Sequence, residues 1–261
     1  MVNATYKTLL AWAMDGLYRI PRGNPCRSIF GNITQIDMRQ PVITIPERKL
    51  NYSFMFAEAY WILSGSNQAD EIVPYCKNIK QFSDSGLVFQ GAYGPKVTEQ
   101  LQYVVDILTK DRESRQAVIG IWRENPRESK DIPCTLTMQF LVHKNELQMI
   151  VNMRSSDVWL GFPYDIFNFS MIAHFLSLQL YFRPQPTLLR LFAGDQHLYE
   201  RDVDKAAACM AANSDRLQND LILSKLESPR CLLGHLRTAR GVSFTGNSYF
   251  DEIIRYAKAQ V

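Results

Sequence analysis

Two short stretches near the middle of the chain alternate strictly between apolar and polar residues. Their apolar positions are Leu136, Met138, Phe140 and Val142 in the first stretch and Leu147, Met149, Val151 and Met153 in the second. A period of two is typical of strands with one buried face, and the pair Lys144-Asn145 between the stretches predicts a tight turn. The pattern therefore predicts an antiparallel hairpin, which brings Cys134, just before it, close to Arg154, just after it.

Apolar residues recur at helical spacing in several other segments. This spacing predicts helices over residues 5–18, 52–63, 98–109, 166–180, 203–212 and 249–259. Further strands are predicted within residues 28–45 and over residues 117–122, 187–192 and 221–226, with loops over 20–25 and 66–97. Because strands and helices do not alternate strictly, this order indicates an α+β fold. No repeat or linker interrupts it, so we expect one domain over residues 1–261.

The composition is that of a soluble globular protein. The 261 residues are 46% apolar and 21% charged, and this length suffices for one large core. A net charge of +3 does not by itself indicate nucleic-acid binding, and no DNA binding is expected. The most apolar segment, residues 166–182, contains five polar residues and predicts a buried helix instead of a membrane span. Residues 1–20 do not have the pattern of a signal peptide.

The cysteines argue against a disulfide framework and against a metal site. The chain has five of them, an odd number with no C-x-x-C pair, which fits a reducing compartment such as the cytoplasm. An isolated cysteine is most often simply buried, and that interpretation is kept for Cys26, Cys76, Cys209 and Cys231. Cys134 differs because the predicted hairpin places a guanidinium beside it.

Four motifs, in this order along the chain, resemble those of the thymidylate synthase family, which includes the deoxycytidylate hydroxymethylases. They are Pro133-Cys134, residues 154–158 (RSSDV), residues 160–166 (LGFPYDI) and residues 194–199 (GDQHLY). The resemblance extends roughly from Ser28 to the C-terminus. It implies a large mixed sheet that is flanked by helices and packs against its twin in a homodimer. It also implies transfer of a one-carbon unit from 5,10-methylenetetrahydrofolate to C5 of a pyrimidine nucleotide.

Cys134 is the candidate nucleophile. A thiolate can add to pyrimidine C6, which activates C5, and can leave afterwards. Arg154 could lower the pKa of this thiol, and the resemblance assigns both Arg154 and Ser155 to the nucleotide phosphate. The resemblance also implies that Arg115 reaches the phosphate of a neighbouring subunit.

The chain departs from the family at two further phosphate-binding arginines. The second arginine that a neighbouring subunit supplies is Gln116 here. The arginine that precedes the strand containing Ser28 is Pro21 here, and Arg22 or Arg27 could substitute for it.

The other candidate residues follow from the same resemblance. His197 and Tyr199 would face one side of an extended segment and bind the sugar 3′-hydroxyl. Glu58 lies in an otherwise apolar helix, where an unused carboxylate would cost free energy, and is expected to be a general acid and base acting through ordered water. Tyr93 is expected near the base. Asp157 is expected at the folate pterin.

Asp165 predicts which base is bound. Thymidylate synthases carry an asparagine here, whose amide can accept from N3–H of uracil and donate to O4. A carboxyl group can instead accept from the amino group of cytosine and share a proton with N3, so Asp165 favours dCMP. The alternative role for Asp165 is the N-cap of the helix that follows. Gly161, in the same motif, is expected at the folate.

Two further departures from the synthases resemble hydroxymethylases. Residues 78–83 (NIKQFS) lack the two tryptophans of the synthases, and Thr135 replaces a histidine. In contrast, residues 257–261 resemble the C-terminal tail of the synthases. The sequence thus predicts a homodimeric dCMP hydroxymethylase. The alternatives are a 5-methyl-dCMP synthase, a dUMP-specific synthase or hydroxymethylase, and an inactive nucleotide- or RNA-binding homologue, against which Cys134, Arg154 and Asp157 together argue.

Overall fold

The computed structural model describes residues 2–123, 128–214 and 217–260. Its centre is a seven-stranded mixed sheet with the strand order β1-β2-β7-β5-β4-β3 and with β6 beside β7. The strands are β1 (Leu17–Arg19), β2 (Cys26–Asp37), β3 (Val118–Gly120), β4 (Thr135–His143), β5 (Glu146–Met153), β6 (Ser156–Asp157) and β7 (Gln185–Tyr199). Strand β7 runs parallel to β5 and β6, and the other pairs are antiparallel. The predicted α+β class is confirmed.

Eight α-helices lie in the described ranges. They are α1 (Val2–Met14), α2 (Tyr52–Leu63), α3 (Ala69–Ile72), α4 (Tyr93–Lys110), α5 (Phe162–Ser177), α6 (Val203–Ala211), α7 (Pro229–Ala239) and α8 (Ser248–Lys258). Helices α1 and α5 pack on the sheet, and α2 packs on α5 with α4, α7 and α8 around it. Within the described residues, no helix combines the length and the apolarity that crossing a membrane requires.

The predicted alternation of buried and open positions holds along the hairpin from Met138 to Met153, and it fails at Leu136, which is only partly buried beside an irregular register at the start of β4. On β5 the side chains of Leu147, Met149 and Val151 are fully buried. The opposite face is more open and partly apolar: Ile33 and Phe192, which are paired between β2 and β7, are 58% and 37% exposed. One face of the sheet therefore holds the core, and the other presents apolar side chains to the outside.

The structure differs from the sequence predictions in the last third of the chain. The strand predicted over residues 221–226 is wrong, because this segment holds only a short 3₁₀ turn, Leu223–Lys225. Leu221 and Leu226 are individually buried residues of a loop. They produce the apolar pattern of a strand although the segment does not pair with the sheet. Helix α7 was not predicted, although Ser228 caps it and Pro229 occupies its first position.

Several element boundaries also differ. Helix α4 begins at Tyr93 instead of residue 98, and β7 extends over Gln185–Tyr199 instead of residues 187–192. Strand β2 ends at Asp37, and the residues after it up to 45 are buried, apart from Arg39, without belonging to a named strand. The extension of β7 matters most for function, because it places residues 194–199 in the sheet itself.

Candidate active site

The open end of the β4–β5 hairpin joins Cys134 and Arg154, as the alternation predicts. The backbone N–H of Arg154 donates to the carbonyl of Cys134 over 2.9 Å, and its Nη2 lies 3.7 Å from the sulfur. The guanidinium also donates to the carbonyls of Pro133 and Ile132, at 3.0 and 2.9 Å. These bonds hold the cation beside the thiol, and among the described residues its partners are backbone carbonyls and the sulfur.

The Cys134 thiol is nevertheless less acidic than the sequence suggests. Burial raises its pKa, and the positive charges of Arg154 and Arg22 offset only part of that effect. The charge of Arg154 therefore acts on the thiol pKa in the expected direction, but burial outweighs it and the net pKa is raised. The guanidinium still favours the thiolate once a proton acceptor is present.

Tyr93, the first residue of α4, meets the start of β4. Its hydroxyl oxygen accepts from the backbone N–H of Thr135 over 3.3 Å. Burial, followed by the charges of Asp165 and Cys134, raises the pKa of Tyr93 well above its ordinary value. The phenol thus keeps its proton at neutral pH. It lies near both the thiol of Cys134 and the carboxyl group of Asp165, and its O–H can donate a hydrogen bond there.

The end of β7 forms one wall of the site. The rings of His197 and Tyr199 meet edge to face at 5.0 Å, so they share one side of the strand as predicted. Strand β6 pairs Asp157 with His197. A Cβ at Gly194 would lie 3.2 Å from the carbonyl oxygen of Arg154, so a glycine permits this close approach.

Asp157 closes the turn that leads into α5. Its Oδ1 accepts from the backbone N–H groups of Trp159 and Leu160 at 2.8 and 2.9 Å. Burial is the main cause that raises the pKa of Asp157. Gly161 is the N-cap of α5, so Asp165 is not, and its alternative role as N-cap is wrong. A Cβ at Gly161 would lie 3.3 Å from Oδ2 of Asp165, which explains why a small residue fits there.

Asp165 and Glu58 form a pair of neighbouring acids. Burial, followed by the charges of Glu58 and Asp157, raises the pKa of Asp165 well above its usual range. Burial also raises the pKa of Glu58 to about 7, against the lowering effect of a 2.7 Å hydrogen bond from Nδ2 of Asn168. At neutral pH Asp165 therefore keeps its proton, whereas Glu58 is divided between its protonated and ionised forms.

Two residues of this region were not singled out by the sequence. Asn168 follows Asp165 by three positions in α5, and this helical spacing of polar residues in an apolar segment was the available signal. Arg48 is buried, donates to the carbonyl of Trp159 and lies 4.3 Å from the centre of the Trp159 ring. Nothing in the local pattern marks this arginine, since its partner is more than one hundred positions away.

Of the two arginines offered near the start of β2, the structure brings Arg22 towards the site. Arg27 forms an ion pair with Glu200 at 2.8 Å and donates to the carbonyl of Met14. Arg22 lies exposed in the turn Pro21–Gly23, with φ of 52°, and its charge lowers the pKa of Cys134. Ser155, next to Arg154, is partly exposed.

Arg115 is not brought to Cys134 within one chain. Together with Gln116 it is exposed in the loop before β3, and its carbonyl accepts from Nε2 of Gln139 at 3.0 Å. Gln139 lies five positions along β4 from Cys134, roughly 17 Å in an extended strand. In the described part of the chain, no group of three or more His, Cys, Asp or Glu side chains is arranged for a metal ion.

Comparison with known proteins agrees with this geometry. A "Deoxyuridylate hydroxymethyltransferase" of Pseudomonas phage M6 is 27% identical over 225 residues, which are 81% of this chain and 64% of the relative. One of Bacillus phage SP01 is 29% identical over 191 residues, 64% of this chain and 49% of the relative. A "Thymidylate synthase" of Buchnera aphidicola is 25% identical over 219 residues, with 79% and 82% covered.

The chain thus spans about half to two thirds of the length of these phage relatives. The family described as thymidylate synthase matches residues 6–229, a range that includes the hairpin, the acidic pair and the wall formed by β7. With most of its length matched, the chain belongs to the thymidylate synthase family.

Proposed function

We propose that the protein transfers a one-carbon unit from 5,10-methylenetetrahydrofolate to C5 of a deoxypyrimidine monophosphate and forms a hydroxymethyl product. The observation that carries this proposal is the fixed pair of Cys134 and Arg154, with Nη2 3.7 Å from the sulfur. Sulfur adds to C6, which makes C5 a nucleophile towards the one-carbon unit. Asp157 would accept hydrogen bonds from the pterin, beside Gly161 and Glu58.

The remaining candidate residues suit the parts of a nucleotide. Arg154, Ser155 and Arg22 offer two cations and a hydroxyl group for the phosphate. His197 and Tyr199 offer polar groups on one wall for the sugar hydroxyl. Roles of this kind require the side chains to converge. The hydrogen bond from the backbone N–H of Asp195 in β7 to the carbonyl of Arg154, at 3.2 Å, supports this for the hairpin end and the end of β7.

Two observations support hydroxymethylation over methylation. The 3₁₀ turn Lys77–Phe82, in the segment that carries tryptophans in the synthases, offers Ile79 and a half-exposed Phe82. Glu58, with a pKa of about 7, can exchange a proton with water near neutral pH. The phage relatives named as hydroxymethyltransferases agree with this product.

We propose dCMP as the first substrate because of Asp165. Its raised pKa leaves a neutral acid, which can donate to N3 of cytosine and accept from the 4-amino group. When the proton sits on the other oxygen, the same acid can accept from N3–H of uracil and donate to O4. The name "Deoxyuridylate hydroxymethyltransferase", which three phage relatives bear, makes dUMP the second candidate.

Product analysis tests the proposal directly. The protein is incubated with methylenetetrahydrofolate and either dCMP or dUMP, both tritiated at C5. The products are then separated, and their masses are determined by mass spectrometry. The expected result is tritium release with 5-hydroxymethyl-dCMP and tetrahydrofolate. A methylated nucleotide with stoichiometric dihydrofolate would refute the hydroxymethyl assignment. No tritium release from either nucleotide would indicate a binding protein without catalysis.

We further propose that two chains associate through the open face of the sheet. Ile33 and Phe192 are large apolar side chains exposed on adjacent strands of that face, and burying them is favourable. Arg115 lies exposed in the loop before β3, far along the sheet from its own Cys134. A second copy on this face could therefore receive Arg115 at its phosphate site.

Mixed dimers provide the test of this shared site. Arg115→Ala and Cys134→Ser are each expected to lower activity strongly when pure. After subunit exchange, a heterodimer would combine both lesions in one site and leave the other intact, so up to about one quarter of wild-type activity is expected from random mixing. Activity that stays at the level of the separate variants after verified exchange would show that each site is built from one chain. Arg112→Ala, in the same loop, is the matched control.

A further inference from the structure

Asn168 connects the two helices that carry the acidic pair. It lies in α5, one turn after Asp165, and is 4% exposed. Its Nδ2 donates to Oε2 of Glu58, in α2, over 2.7 Å. Its Oδ1 is buried and has no hydrogen-bond partner among the residues that the structure describes. A buried amide oxygen of this kind favours a ligand that donates a hydrogen bond.

The local packing of α5 does not account for an amide at this position. Phe167 and Phe169, on either side, are fully buried apolar residues. Ser170, the next buried polar residue, is satisfied within the helix because its hydroxyl donates to the carbonyl of Ile166 at 2.7 Å. Asn168 instead reaches across to Glu58 and keeps its acceptor unused. This arrangement provides one hydrogen-bond acceptor for a small molecule that donates hydrogen bonds.

We propose that Asn168 is the positioning residue for the water that adds to the one-carbon unit, an inference that rests on the proposed function. Oδ1 of Asn168 accepts one hydrogen of this water, and the carboxylate of Glu58 accepts the other. The hydrogen bond between Nδ2 and Oε2 keeps both acceptors within reach of a single water molecule.

The bonds balance without an oxidant or a reductant. The water oxygen bonds to the methylene carbon attached to C5, and its proton passes to Glu58. The electron pair of the C5–methylene double bond moves to C5 and then forms the C5–C6 double bond, which expels the sulfur of Cys134 from C6. A methyl product would instead need a hydride, so placing water here selects the hydroxymethyl group.

The electrostatics of Glu58 agree with this role. Burial raises its pKa and the bond from Asn168 lowers it, and the net pKa of about 7 leaves a substantial fraction of the carboxyl group ionised near neutral pH. Its charge in turn raises the pKa of Tyr164 and Asp165, the titratable groups that face it from α5. Removing the amide is therefore expected to raise the pKa of Glu58, and the base would then form only at higher pH.

Rapid-quench kinetics can separate this step from the earlier ones. The protein is mixed with C5-tritiated nucleotide and methylenetetrahydrofolate, and both tritium release and hydroxymethyl nucleotide are followed. In the wild type the two are expected to appear together. In Asn168→Leu, release of one tritium per site is expected to stay within about threefold of wild type, while hydroxymethyl formation falls about 100-fold, the scale of general base catalysis. Ser170→Ala, which removes another buried polar group of α5, is expected to change neither.

Two further measurements keep the inference open to refutation if Asn168→Leu folds poorly. Asn168→Ser retains a hydrogen-bond donor and acceptor. The gap between tritium release and hydroxymethyl formation is therefore expected to be smaller than in Asn168→Leu. In either variant, the rate of hydroxymethyl formation is measured as a function of pH, and its rise with pH is expected to occur at higher pH than in the wild type. If tritium release and hydroxymethyl formation fall in equal proportion and the pH profile does not shift, the role of Asn168 is refuted while the proposed function stands. A wild type that forms only methyl product, or releases no tritium, would refute the proposed function and this inference together.

Discussion

Cys134→Ser is expected to reduce product formation by roughly 10⁴-fold or more, the scale of losing a covalent nucleophile. An alcohol of ordinary acidity does not add to C6, and it is a poorer leaving group than a thiolate. The fold should persist because the side chain keeps nearly the same shape. Nucleotide binding should persist as well, because Arg154 is held by the carbonyls of Pro133 and Ile132 instead of by the sulfur.

Turnover and calorimetric binding of the nucleotide, measured on the same preparation, check this expectation. Cys231→Ser is the matched control, since Cys231 is also partly buried, its sulfur lies 3.2 Å from Nε2 of His235, and its helix α7 carries none of the candidate residues. The control should retain full activity. Near-normal turnover in Cys134→Ser would end the covalent mechanism.

Asp165→Asn is expected to move preference from dCMP towards dUMP, by up to roughly 10⁴-fold in relative kcat/KM. The carboxyl group exchanges donor and acceptor by moving its proton between its oxygens, whereas an amide must turn over as a whole to do so. Close to Glu58 and Tyr93, a mismatched base would leave buried polar groups unpaired. The product should stay hydroxymethylated, because the proposed contact of Asp165 is with the base and not with the one-carbon unit.

Competition between the two nucleotides, with products resolved by mass, measures this shift. Asp106→Asn on the exposed face of α4 makes the same chemical change outside the site and should leave the ratio unaltered. A wild type that already prefers dUMP would contradict the interpretation of Asp165. The hydroxymethyl assignment would survive that outcome.

The hairpin was predictable because its signal is local. Strict alternation on both sides of Lys144-Asn145 fixes which side chains are buried, and the turn fixes that Cys134 meets Arg154. The 221–226 segment failed for the opposite reason. Leu221 is buried through contacts with distant parts of the chain, and a buried leucine in a loop looks like a buried leucine in a strand.

The electrostatics could not be predicted from sequence. Whether Arg154 or burial dominates the pKa of Cys134 depends on how much protein surrounds the sulfur, which is a property of the whole fold. Arg27 is paired with Glu200, an acid 173 positions away, and no local pattern predicts that pair. Likewise, Glu58 and Asn168 lie 110 positions apart, and no local pattern pairs them.

The length of β7 constrains how this protein can diverge. The strand pairs with β2, β5 and β6, and Leu189 and Leu191 share their parity with His197 and Tyr199. Inserting or deleting one residue between these two pairs would turn His197 and Tyr199 to the opposite surface of the sheet while Leu189 and Leu191 stayed in place. Changes of specificity along this lineage are therefore expected to arise by substitution within a strand of constant length, with insertions confined to the loops.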